Sequence, residues 1–170
     1  MTIKKIILAC ALLVPAMALA QPRFAVFNST QVFDAMPEKA AAEDSLKALS
    51  ARYHDEVKLM QDQFNSKFAD FQSLEAAGTM PAAIRERRMR ELRDEDQKIE
   101  QFERAAAADI DRQRQELTRP IHALIEDAVR TVGETEGFTM IFDTARTPVA
   151  YRDANTPDVT HLVKQQLHIK

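Results

Sequence analysis

The sequence predicts a mainly α chain with a small β body, from which a long antiparallel helical hairpin projects. Three observations lead there. From Glu38 to about Ala77 there is neither Gly nor Pro, and apolar residues recur every three or four positions. Gly78-Thr79-Met80-Pro81 then interrupts the pattern, and a second helical run follows. Runs of β type lie towards the two ends of the chain, around Phe24–Phe27 and beyond Gly137.

A chain of 170 residues makes one domain, or one small domain with a long extension. Three glycines and the absence of G-x-x-x-x-G-K-[ST] or G-x-G-x-x-G exclude the glycine-rich nucleotide folds. A single cysteine excludes a disulfide scaffold. Residues 1–20 read as a cleaved signal peptide. Met1 to Lys5 is basic, Ile6 to Leu19 is apolar, and Ala18-Leu19-Ala20 places small residues at the cleavage positions. The apolar run is shorter than the ~20 residues of a bilayer span and contains Pro15. Cleavage after Ala20 removes Cys10, Lys4 and Lys5. The mature chain then has 21 basic and 26 acidic residues, a net charge of -5. That balance argues against a nonspecific nucleic-acid binder, which needs a basic footprint. The expected product is an exported, soluble protein of an oxidising compartment.

Arg23 to Phe27 reads as a strand buried on both faces. Gln31 to Met36 suits one helical turn, with Thr30 as its cap. Pro37 suits the first residue of the next helix, with Glu38 in its first turn. The stripe of that helix is Leu46, Leu49, Tyr53, Val57, Met60, Phe64, Phe68 and Phe71. Its steps group as 3-4-4, an eleven-residue repeat that favours nearly straight packing. Forty residues of helix extend about 60 Å, more than a globule of this mass. Gly78 suits the position past a helix end and Pro81 the start of the next, so the gap favours an antiparallel turn.

The second helix is expected from about Pro81 to Val132. Its stripe comprises Met89, Leu92, Ile99, Phe102, Ala106, Ile110, Gln113, Leu117, Ile121, Leu124, Ala128 and Val132. The stripe keeps its phase across Pro120, so a kink is expected there rather than a break. Gly133 to Gly137 ends the helix. Phe138 to Phe142 and Pro148 to Tyr151 read as further strands, and Asp158-Val159 as a brief extended segment. Thr160 suits the cap of a last helix with Leu162, Val163 and Leu167 turned inward. The resulting division is 21–37 and 120–170 for the body and 38–119 for the hairpin, with its bend near 77–81. Three short strands and a small helix enclose little interior and leave open edges, so the body needs partner copies. A homo-oligomer follows; periodicity does not give its number.

No arrangement for catalysis, cofactor or metal binding stands out. His54, His122, His161 and His168 lie in no Cys-His cluster or H-E-x-x-H, and His122 with Glu126 is at best half a metal site. Asp94, Glu95 and Asp96 read as a solvated charge run. No serine has a nucleophile-elbow context. Asp143 after a strand reads as a turn cap. The cluster Arg85, Arg87, Arg88, Arg90 and Arg93 has two readings: a solvated face stabilised by helical ion pairs, or attraction to anionic lipid or an acidic partner.

In its end motifs the chain resembles the Skp/OmpH family of periplasmic chaperones. The similarity starts at Phe24-Ala25-Val26-Phe27-Asn28 and continues through Val32-Phe33 and Met36-Pro37-Glu38. It returns at Leu117-Thr118-Arg119-Pro120-Ile121, Glu136-Gly137-Phe138-Thr139-Met140-Ile141-Phe142-Asp143, Val149-Ala150-Tyr151 and Asp158-Val159-Thr160. The resemblance implies a homotrimer whose β-rich body carries three helical tentacles around a cavity. It implies an ATP-independent holdase for unfolded outer-membrane proteins, without cofactor, metal or nucleic acid. Weak contact with anionic lipid or the outer-membrane assembly machinery is a further expectation. The chain departs from the family in charge: familiar members are strongly basic, and this mature chain is acidic.

Within that expectation, the candidate client contacts are Tyr53, Val57, Leu59, Met60, Phe64, Phe68, Phe71, Leu74, Met80, Ile84, Met89, Leu92 and Phe102. The Arg85–Arg93 cluster supplies the candidate electrostatic contacts. Phe and Met tolerate irregular partners, which suits broad specificity. The same residues also serve to zip the two helices together. Leu59, Leu74, Met80 and Ile84 lie off the main stripe or near the bend. The competing class is a structural coiled-coil or adaptor protein of the cell envelope, which would bind one folded partner.

Overall fold

The computed structural model describes residues 22–169. The expected leader and its cleavage site after Ala20 lie outside the described residues. Strand β1 (Phe24–Phe27) pairs in parallel with β2 (Met140–Asp143), with Ala25 opposite Ile141 and Phe27 opposite Asp143. A parallel pair requires the chain to return to the end from which it left. Here the return path is the whole helical stretch: α1 (Ser29–Ala35), α2 (Pro37–Ala76) and α3 (Ala82–Glu136). A last helix, α4 (Thr160–Gln166), closes the chain.

Helices α2 and α3, of 40 and 55 residues, run side by side in opposite directions. From Tyr53 to Lys67, α2 advances by as many residues as α3 retreats from Asp109 to Glu95, the partners of those two side chains. The register therefore does not slip between these cross-links. The fifteen additional residues of α3 (55 against 40) extend about 22 Å. In that register Pro37 lies level with Ile125, so the last eleven residues of α3, about 16 Å, carry the chain past the start of α2 and back to β2. Helix α3 is continuous through Pro120. The missing N–H there leaves the Glu116 carbonyl without its ordinary intrahelical donor.

The helix ends follow local chemistry. Asn28, not Thr30, caps α1: its side chain accepts from Gln31 N at 2.9 Å, because the extended backbone of Asn28 aims its amide oxygen at the first turn. Pro37 is the first residue of α2, as expected, whereas Pro81 stands just before α3. Helix α3 runs beyond Val132 and through Gly133. It ends at Gly137, whose φ of 68° is left-handed. The Arg23 guanidinium donates to the Glu136 carbonyl at 2.6 Å and lies 4.8 Å from the Phe138 ring centroid. A cation therefore meets the negative end of the longest helix.

The core lies where β1, α1, the end of α3 and α4 meet. Ala25, Phe27, Val32, Met36, Ile121, Ile125, Ala128, Val132, Val159 and Val163 are buried together. Leu124, expected on the inward stripe, is exposed, and Ile125 takes the inward position. Beyond Pro120 the buried series is Ile121, Ile125, Ala128 and Val132: the stripe keeps its phase, with Ile125 in the place expected of Leu124. Strand β2 begins at Met140 rather than Phe138. Phe138 and Thr139 are instead held by the α3 end and by Arg23: Phe138 N donates to the Gly133 carbonyl and Arg23 N to Thr139 Oγ1.

Pro148 to Tyr151 is not a strand. Its residue types suit one, but among the described residues no neighbouring backbone pairs with it, and Tyr151 is 83% exposed. Of the expected extended segment Asp158-Val159, only Asp158 forms a β-bridge, to Val26; Val159, at φ -97° and ψ 11°, already turns into the last helix, and its N donates to the Val26 carbonyl at 2.8 Å. Asp158, not Thr160, supplies the side-chain oxygen at the start of α4, accepting from Thr160 N at 3.0 Å and from its hydroxyl at 2.6 Å. Asn28 N donates in turn to that hydroxyl oxygen, which ties the exit of β1 to α4. Asp143 is the turn cap expected of it, accepting from Ser29 N and Ala145 N.

Candidate binding surface

The α2–α3 seam divides the apolar residues into two populations. Phe71 is buried, and Tyr53, Val57, Met60, Phe64, Leu92 and Phe102 are half-buried towards the seam. Ile99 and Ala106 are buried from the α3 side. These residues serve first to join the two helices. Tyr53 meets Phe102 edge-on at 5.8 Å and donates its hydroxyl to Asp109. That hydrogen bond is the first cause of a raised Tyr53 pKa, and partial burial adds to it.

The second population faces solvent. Leu59, Phe68, Leu74, Ile84 and Met89 are exposed, and Met80 is half-buried at the bend. Phe64 and Phe68 stack one helical turn apart, with centroids 6.0 Å apart and rings within 6° of parallel. Phe68 and Met89 are 41% and 39% exposed. With Phe64, Phe71 and Leu92 they form an apolar groove of about 270 Å³, bounded by Arg93 and Asp96. The sequence pattern does not show this groove. Asp96 reads there as one member of a charge run, and only the antiparallel register places it beside Phe64 and Phe68. A second apolar groove lies at the base of the helix pair, where exposed Leu124 joins Ala41, Ala42, Leu117, Pro120 and Ile121.

The arginine cluster is largely neutralised. Arg85 pairs with Glu75 across the bend at 2.6 Å, Arg87 with Glu91 at 3.4 Å, and Arg90 with Glu86 at 3.8 Å. Arg88 is half-buried, with its Nε shielded and without a hydrogen-bond partner among the described residues. Arg93 makes no ion pair among the described residues and faces the apolar groove. The solvated-face reading therefore accounts for Arg85, Arg87 and Arg90.

Other polar residues have structural roles. His122 stacks on Phe33 at 5.1 Å and 14°, which fixes α1 against α3. Among the described residues, no group of three His, Cys, Asp or Glu side chains is placed to hold a metal ion. No helix among them is long and apolar enough to cross a membrane.

The fold, a long helix pair joined to two paired end strands, has a counterpart among known structures. The family model for outer membrane protein (OmpH-like) matches residues 23–167. The fold is similar to the crystal structure of an OmpH-like outer membrane chaperone from Caulobacter crescentus CB15, with a TM-score of 0.69 at 14% identity. The match covers 87% of this chain and 85% of that one. No curated protein sequence matches the chain. A family match spanning both end strands and everything between them leaves one conclusion: the chain belongs to the OmpH-like outer membrane protein family.

Proposed function

We propose that the chain is an ATP-independent periplasmic holdase that keeps unfolded outer-membrane β-barrel proteins from aggregating before insertion. The observation that carries this reading is the row of exposed apolar side chains along a helix pair too narrow to bury them. Leu59, Phe68, Leu74, Ile84 and Met89 offer several weak contacts, which act together at high effective concentration when arms face one cavity. Met and Phe conform to irregular partners. The chaperone character of the family supports the same reading.

The active form in this reading is a homotrimer after cleavage at Ala20. Residues 21–37 and 120–170 form the body, and residues 38–119 form the projecting arm. The outward side of the sheet supports the need for partner copies: Phe24, Met140 and Phe142 are exposed beside Val149 and Tyr151. Two strands alone make a marginal sheet. The test is aggregation of a denatured outer-membrane β-barrel protein diluted from denaturant, with and without the mature chain and without nucleotide. Suppression at a ratio of one trimer per client is expected. Undiminished aggregation, together with a monomeric sedimentation profile, overturns the reading.

A further inference from the structure

We propose that the groove around Phe68 and Met89 is a seat for unfolded segments that combine an aromatic side chain with a nearby Lys or Arg. This inference rests on the holdase reading and narrows what the holdase selects. At about 270 Å³ the groove falls below the ~300–1,000 Å³ of ordinary small-ligand sites, so it admits side chains one or two at a time. Its walls are the Phe64–Phe68 stack and Met89, surfaces against which an aromatic ring packs well. Arg93 at the rim adds a guanidinium, which attracts an aromatic face.

Charge selects among aromatic segments. The groove opens beside the most acidic stretch of the arm. Asp55 to Lys67 on α2 and Asp94 to Arg104 on α3 together hold eight acidic and four basic residues. These stretches face each other, because the Tyr53–Asp109 bond and the Lys67–Glu95 pair cross the seam at their ends. Lys58, Lys67 and Arg104 are paired with Asp62, Glu95 and Glu100. Among the described residues Asp55, Glu56, Asp94, Asp96 and Glu103 make no ion pair, with Lys98 the one cation of the stretch left over. Asp96 itself borders the groove. Towards the bend, Arg85, Arg87 and Arg90 are paired, whereas Arg88 and Arg93 make no ion pair among the described residues. Five unpaired carboxylates against the three unpaired cations Arg88, Arg93 and Lys98 leave the surroundings of the groove net acidic, so they attract a cationic segment and repel an acidic one.

The experiment uses the full mature chain and two unstructured peptides with identical aromatic and aliphatic positions, one with Lys and one with Glu at every charged position. Binding is read by fluorescence anisotropy at low and at 0.5 M salt, beside the aggregation assay with a denatured β-barrel protein. The Lys peptide is expected to bind at least about tenfold more tightly at low salt, with the ratio shrinking as salt screens the field. Asp55→Asn, Glu56→Gln, Asp96→Asn and Glu103→Gln together are expected to abolish the ratio while aggregation suppression persists. Phe68→Ala with Met89→Ala is expected to weaken both peptides. Equal affinities, or a preference for the Glu peptide, overturn the inference and leave the holdase reading standing if the β-barrel protein is still held. Binding of neither peptide overturns the inference alone when the β-barrel protein is still held; failure to suppress aggregation as well overturns both.

Discussion

The hydroxyl of Tyr53 donates to Asp109 Oδ2 at 2.8 Å across the α2–α3 seam, and Arg112 pairs with the same carboxylate. A polar pair set among apolar neighbours permits one register, because a slip would leave the carboxylate facing apolar side chains. Tyr53→Phe is therefore expected to lower the melting temperature by roughly 2–4 °C. The tyrosine pKa is raised, so the folded chain holds that proton more tightly than the unfolded one. The resulting stability is fully present below pH 10.0, the ordinary value, and is lost as pH rises through the raised value. A melting-temperature series from pH 8 to 11.5 should show an alkaline step in the wild type that Tyr53→Phe lacks.

Phe71 and Phe68 lie one turn apart on the same helix and should separate stability from binding. Phe71 is 7% exposed, so Phe71→Ala is expected to destabilise the arm by about 3 kcal/mol. Phe68 is 41% exposed, so Phe68→Ala removes only part of a packed ring and should cost less, about 1 kcal/mol. It should nevertheless weaken aggregation suppression. Urea denaturation and the client assay on the same two variants check both statements. Equal loss of stability in the two variants would contradict the burial difference.

Asp158 caps α4. Partial burial opposes its charge, yet hydrogen bonds from the Thr160 hydroxyl and N–H, with the nearby Arg152 guanidinium, outweigh that and lower its pKa below 3.8. A lowered carboxyl pKa gives stability that is present above 3.8 and lost as pH falls through the folded value. Asp158→Ala is expected to cost about 1 kcal/mol at pH 7, the ordinary worth of a cap. The difference from wild type should shrink towards pH 2.5 in parallel denaturation curves.

Pro120 withholds one helical hydrogen bond from the Glu116 carbonyl in an otherwise unbroken 55-residue helix. Pro120→Ala restores the donor and is expected to stabilise α3 by about 1–3 kcal/mol, read as a higher melting temperature. A lower melting temperature would mean that the ring's contacts in the groove with Leu117 and Leu124 matter more than the hydrogen bond.

The helices were the legible part of the sequence. Their period repeats over many turns, and Gly78, Pro37 and Gly137 mark ends by rules that need no tertiary information. Short elements were not, because one neighbour decides them. Asn28 and Thr30 are both able caps, and the backbone angle at Asn28 selects it. Pro148 to Tyr151 has strand composition but no backbone partner among the described residues. Leu124 and Ile125 compete for one inward position, and the turn of helix after Pro120 favours Ile125. The binding surface was legible only in kind. Periodicity identifies Phe64, Phe68 and Phe71 together, and only the register against Met89 and Leu92 shows which of them faces solvent. The local pairs Arg87–Glu91 and Arg90–Glu86 could be read from spacing, whereas Arg85–Glu75 depends on the bend.

The pairing of Ala25 with Ile141 joins strands separated by the entire arm. In a chain synthesised N-terminus first, β1 is made early, and its hydrogen-bonding partner follows only after both long helices. Contacts so distant in sequence form slowly, while helices form locally and fast. The arm therefore assembles before its own foundation, and Arg23 meets the Glu136 carbonyl only once the long helix is complete. A chain truncated before Met140 would hold a finished arm and no means of anchoring it.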